Sequence, residues 1–138
     1  MMQAMRSGVS SLKAHQTKMD VIAHNVANVN TNDFKSSRVD LQDSFSQTIQ
    51  RARAANTETG VAGANPMQVG SGVSVASISR SDTPGAKIMT GNTTEVMSNT
   101  DLAVEMTNMI VTQRGFEANA RVIPVVDEML QEVSNLRV

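Results

Sequence analysis

Three features of this 138-residue sequence predict a mainly α fold. Its long N- and C-terminal helices are expected to pair as an antiparallel coiled coil, with a small β- and loop-rich segment between them. Apolar residues recur at heptad spacing over the first thirty positions and again over the last forty. Between them the texture changes to Gly, Pro, Ser and Thr, and the helical period is lost. Residues 1–32 with 99–138 are therefore expected to form one paired-helix unit, and 33–98 a short helix plus a β/loop-rich middle.

In the first helix Met5, Val9, Leu12, Gln16, Met19, Ala23 and Val26 alternate at spacings of four and three. That spacing places them on one stripe, with a polar layer at Gln16. Val21, Ile22 and Val29 widen the apolar face, as expected of a helix that touches more than one neighbour. Asn28-Val29-Asn30-Thr31-Asn32-Asp33 then stops the helix, because Asn and Asp side chains compete for backbone hydrogen bonds and tolerate a left-handed cap. Leu41, Phe45, Ile49 and Ala52 predict a shorter second helix from about Asp40 to Ala54.

Six of the eight glycines and two of the three prolines lie between Asn56 and Asn99. Within that stretch Val69, Val73, Val75 and Ser77 occupy alternate positions. They predict one or two short strands, with turns at Gly70-Ser71-Gly72 and Thr83-Pro84-Gly85. Gly60 to Asn65 is expected to be a flexible loop.

The C-terminal helix is expected to begin at a cap on Asn99 or Thr100, with Asp101 and Glu105 near its positive end. Leu102, Met109, Phe116, Ile123 and Leu130 fall at strict sevens, and Met106, Gln113, Ala120 and Asp127 supply the second seam position. The order Met–Gln–Ala matches Val9, Gln16 and Ala23 of the first helix, so the two seams are expected to pair. Met5, Leu12, Met19 and Val26 would then face Leu102, Met109, Phe116 and Ile123. Pro124 interrupts this pattern. Inside a helix it costs about 3 kcal/mol and removes one hydrogen bond, so the sequence predicts a kink there rather than a break.

Composition narrows the function. Apolar residues are 40% and charged residues 18%, but the only aromatics are Phe34, Phe45 and Phe116, while ten Met and many Ala and Val do the filling. Large aromatics carry much of a compact core, so a thin structure finished by partner subunits suits this chain. A net charge of −1 leaves no footprint for nucleic acid. Without cysteine there is no disulfide, thiol nucleophile or thiolate metal site. No run approaches the ~18 apolar residues of a membrane span, and the N-terminus lacks the apolar stretch of a secretory signal.

The ends also carry a family likeness. Asn25-Val26-Ala27-Asn28-Val29-Asn30-Thr31-Asn32-Asp33-Phe34-Lys35 resembles the pattern of bacterial flagellar rod and hook proteins, an Asn-rich helix end followed by Thr-x-Gly-Phe-Lys. Glu105-Met106, Asn108-Met109, Gln113-Arg114, Phe116-Glu117-Ala118-Asn119 and Asp127-Glu128-Met129-Leu130 resemble the matching C-terminal segment. Asn65 to Val73 is similar to a stretch of the hook and distal-rod branch. The resemblance implies export by the flagellar type III apparatus and assembly with itself and neighbouring axial proteins. It also implies terminal helices that line the inner tube, in the periplasmic rod or in the hook. Three departures stand out: Asp33 replaces the family Gly, Pro124 is outside the pattern, and the large central outer domain is missing.

His15 and His24 lie nine residues apart on a helix, about 180° from each other, and cannot share a metal; exposed polar roles are expected. The carboxylates of Asp101, Glu105, Asp127, Glu128 and Glu132 have no pocket to shift a pKa, so neither an enzyme nor a cofactor is expected. Gly70-Ser71-Gly72 lacks the Lys and helix of a phosphate loop. Gln16 and Gln113 are expected to set register. The function expected is a structural subunit of the flagellar axis. The competing class is a cytoplasmic helical adaptor or export chaperone that uses the same seams for a small oligomer.

Overall fold

The structure, a computed structural model, describes residues 2–55 and 62–136. Its first helix, α1 (Met2–Ala27), ends where Asn28 folds back, its backbone N–H and its side-chain amide both donating to the carbonyl of His24. Asp33 follows in the left-handed region at φ 56, where its N–H donates to the Val96 carbonyl at 2.7 Å. Asp33 thus keeps the positive φ at the position of the family glycine, at a cost of about 1–2 kcal/mol for a residue with a Cβ.

Six strands come next: β1 (Ser37–Asp43), β2 (Gln47–Gln50), β3 (Met67–Val69), β4 (Val73–Arg80), β5 (Lys87–Thr90) and β6 (Thr93–Val96). They form three separate antiparallel ribbons, β1–β4, β2–β3 and β5–β6. The β1–β4 register runs from Ser37 opposite Arg80 to Asp43 opposite Val73, with a bulge between Asp40 and Leu41. β5 and β6 are joined by the two residues Gly91-Asn92, and Gly91 at φ 65 supplies the turn. The strands expected around Met67 to Ser79 are β3 and β4. The loop expected at Gly60 to Asn65 lies partly outside the described residues, while Ala64 bridges Arg53.

The helix expected at Asp40 to Ala54 does not form; the chain runs there as β1 and β2. Leu41, Phe45 and Ile49 are spaced by four, and four is a multiple of the strand period of two as well as close to a helical turn. The alternation in β4 decides between them, because Val73 to Arg80 offers β1 a partner strand. A mainly α coiled coil is thus overturned: two helices of 26 and 34 residues stand beside six strands, a mixed α/β fold.

The last helix, α2 (Leu102–Asn135), starts at Asp101, not at Asn99 or Thr100. The Asp101 Oδ1 accepts from the N–H groups of Ala103 at 2.9 Å and Val104 at 3.2 Å. Asn99 is engaged elsewhere, as described below. The helix runs through Pro124 without a break.

The helix α1 lies between α2 and the β1–β4 ribbon. On the ribbon side Gly72, at φ 107, presses onto Ser7 and Ser10 of α1 with no room for a Cβ, and Ser10 Oγ accepts from the Val73 N–H at 3.3 Å. Ala14, Ile22, Val39 and Val126 are the buried apolar residues, joined by buried Asn25 and Thr112. Such a core is thin. The chain exposes 10190 Å², whereas a compact monomer of this mass would expose about 7,000 Å².

Candidate assembly surface

Asn25, only 1% exposed, is the joint of the molecule. Its Nδ2 donates to the Ser37 carbonyl at 2.7 Å and to Glu105 Oε1 at 2.8 Å, while its Oδ1 accepts from the Ser37 N–H at 2.9 Å. One side chain thereby imitates a neighbouring strand for β1 and ties α1 to α2. Asn99 does the same at the far edge. Its Oδ1 accepts from the Ser36 N–H at 2.7 Å, and its Nδ2 donates to the carbonyls of Ser81 and Thr83. A fully matched amide is worth its burial, since each orphaned group would cost about 1–3 kcal/mol.

The other motif residues have local tasks. Thr31 Oγ1 donates to Asn28 Oδ1 at 3.1 Å, Phe34 meets the His24 ring edge-on at 5.5 Å, and Lys35 pairs with Asp82 at 3.2 Å. On α2, Gln113 and Arg114 both donate to Glu117, and Asn119 Nδ2 donates to the Gly115 carbonyl at 2.8 Å.

The two helices run antiparallel and touch through small and polar residues. Asn25 reaches Glu105, the His15 ring lies against Gly115, and Gly8 faces Ile123. A Cβ on Gly115 would stand 2.8 Å from His15 Cε1, so only glycine admits the ring there. His15 is half-buried, not the exposed residue expected. Its Nδ1 is buried without a partner, and burial first, then Lys18, pushes its pKa below the usual imidazole range. Thr112, 1% exposed, satisfies itself on the Asn108 carbonyl at 2.7 Å.

The apolar seams sit beside this contact. Met5, Leu12 and Met19 each precede Gly8, His15 and Ile22 by three residues, about 60° round the helix. Leu102, Met109 and Phe116 precede Glu105, Thr112 and Asn119 by the same step. Because the helices are antiparallel, equal offsets bring both stripes to one side of the pair. Met5, Leu12, Met19, Val26, Met109, Ile123 and Leu130 are half-buried, while Val9, Leu102, Met106 and Phe116 are exposed. An open groove of about 380 Å³ lies on that side, lined by His15, Gln16, Met19, Asp20, Gln113 and Phe116. Gln16 and Gln113 are exposed along it, so they form no buried polar layer within the chain. The signal that sequence reading missed is a second heptad beside the seam, Gly8–His15–Ile22 with Thr112–Asn119–Val126, in which small and polar residues lead to buried Ile22 and Val126. Among the described residues no cluster of three or more His, Asp or Glu is placed to hold a metal.

The helix pair is thus thin, with its ends joined by a buried amide and an open groove along one flank. Sequence comparison matches both ends of the chain. Residues 5–35 match the family profile described as flagella basal body rod protein, and residues 96–136 match that of the flagellar basal body rod FlgEFG protein C-terminal. The chain belongs to this family of flagellar rod and hook proteins. It is 45% identical over 115 residues to the flagellar hook protein FlgE of Treponema pallidum, which covers 83% of this chain and 23% of that relative. To the flagellar hook protein FlgE of Borreliella burgdorferi it is 51% identical over 86 residues, 62% of this chain and 19% of the relative. To the flagellar basal-body rod protein FlgG of Bacillus subtilis it is 43% identical over 96 residues, 70% of this chain and 36% of the relative. The chain thus spans between about a fifth and a third of the length of these relatives.

Proposed function

We propose that this chain is a structural subunit of the flagellar axis, polymerising into rod or hook through its helix pair. The single observation that supports the reading is the apolar flank, where heptad stripes from both helices are turned to one side and are at best half-buried. Burying that flank returns about 25 cal/mol per Å², and only other subunits are available to bury it. The terminal segments, residues 1–32 and 99–138, form the inner wall, and residues 33–98 the outer layer. Delivery is by the flagellar type III apparatus, which suits a chain with so thin a core.

Light scattering on the purified protein against concentration tests the reading, with negative-stain images of the product. Long tubes or fibres above a threshold concentration are expected. A well-folded dimer or tetramer that grows no further would sink the proposal and favour a helical adaptor.

A further inference from the structure

Phe45 is 98% exposed, more than any other large apolar side chain among the described residues. The other two aromatics are engaged: Phe34 meets the His24 ring, and Phe116 lines the groove of the helix pair. Phe45 sits in the short link between β1 and β2, and its neighbours on both sides are held. The Ser44 N–H donates to the Gly72 carbonyl at 2.8 Å, and Ser46 Oγ donates to Gln68 Oε1 at 3.3 Å. Opposite this link runs Gly70-Ser71-Gly72, so no large cross-strand side chain covers the ring. A bare ring fixed at both flanks is preorganised to bind, because little freedom remains to be lost.

The groove beside Met19 and Phe116 has the room and the lining for such a ring. Its volume is about 380 Å³, and an apolar cavity of roughly 150 Å³ already admits benzene. Met19 and Phe116 offer a thioether and a second ring, both favoured neighbours of an aromatic side chain. Gln16, Asp20 and Gln113 complete the lining with polar groups, the usual setting of a buried anchor. The chain's own Phe45 cannot enter it. Ser7 and Ser10 of α1 meet the ribbon at Gly72, whereas Gln16 and Met19 lie on the groove. Ser7 and Gln16 are nine residues apart, as are Ser10 and Met19, which is about 180° round the helix. Ribbon and groove therefore lie on opposite sides of α1.

We infer that Phe45 of one copy of this chain seats between Met19 and Phe116 of the next. The inference rests on the assembly reading above and names one of its contacts. Knob and groove are different surfaces, so the contact is heterologous, and each seated copy still offers its own groove. Such a contact extends from copy to copy instead of ending at a two-fold dimer.

Truncation and cross-linking test this contact. Phe45→Ala and Phe45→Leu are compared with the wild type by sedimentation of polymer over a range of concentrations. Phe45→Ala is expected to need at least about tenfold more protein to polymerise, as for the loss of an anchor residue. Phe45→Leu keeps an apolar knob and falls between the two. Equal urea midpoints for the three monomers separate lost assembly from lost folding. The chain has no cysteine, so Ser46→Cys with Gln16→Cys in one chain reports the pairing directly. Oxidation should give a ladder of dimers, trimers and longer chains, whereas either change alone yields nothing beyond a dimer. Phe45→Ala polymer at the wild-type concentration overturns the contact and leaves the assembly reading intact. Oxidised polymer of the double variant without a ladder, or with the bridge inside one chain, overturns it too. A wild type that stays monomeric at every concentration overturns the assembly reading itself, and this contact with it.

Discussion

On α2 the two sides reverse the usual order. The side turned to α1 carries Glu105, Thr112, Gly115 and Asn119 beside only Ile123 and Val126, whereas the outward sides carry Leu102, Val104, Met106, Ile110, Val111 and Phe116, all 42–61% exposed. A surface helix of a free-standing protein buries its apolar stripe and exposes the polar one. Here polar and small residues carry much of the contact within the chain, and many oily residues stay exposed, which on the proposed reading serves contacts between molecules. Specific geometry and strong adhesion have been assigned to different faces of the same helix.

The sharpest way to break this comparison is to charge the oily face. Met106→Asp with Phe116→Asp should abolish polymer while shifting the monomer's urea unfolding free energy by no more than about 0.5 kcal/mol, the usual range for surface sites. A comparable loss of monomer stability would mean the flank already works within the chain. The complementary change is Asn25→Ala, which orphans the Ser37 backbone and Glu105. It should cost the monomer about 2–4 kcal/mol in urea unfolding.

Gly115→Ala drives a methyl into the His15 ring and should cost about 1–3 kcal/mol; His15→Ala in the same chain should recover most of it. Asp33→Gly relieves the left-handed residue and should raise stability by about 1 kcal/mol, without changing assembly. The smallest effect is the pH dependence of the polar seam. His15 has a folded pKa below its ordinary 6.5, so the unfolded chain takes up the proton first. Stability is full above about pH 6.5 and declines as pH falls through the folded value. His15→Gln should flatten that slope, read from urea midpoints at several pH values.

Much of this arrangement was legible in the sequence. The helix stops at the Asn-rich segment, the strands around Val69 and Val75, and the acidic start of the last helix all follow from local chemistry. Two things were not legible. Leu41, Phe45 and Ile49 fit a helix and a strand equally, and only the partner strand β4 decides. Within the helix pair, heptad apolar residues point to an inside, but "inside" for an assembling subunit includes surfaces covered by other molecules. Beside Ile22, Ile123 and Val126, the contact within the chain uses Gly8, His15, Asn25, Thr112 and Gly115, residue types that hydrophobic periodicity ignores. The shift from stripe to contact is only three residues, a sixth of a turn.

Pro124 has a consequence for whatever lies along that flank. Lacking an N–H, it denies the carbonyl of Ala120 its ordinary helical donor. Ala120 stands in the same stripe as Met106 and Gln113, about two turns on from Gln113 in the groove. A chain laid over it must bring a donor to that oxygen or leave it dry, at about 1–3 kcal/mol. On the proposed assembly reading, grease alone would let a covering chain slide or roll, whereas a single thirsty oxygen would give it one preferred seat.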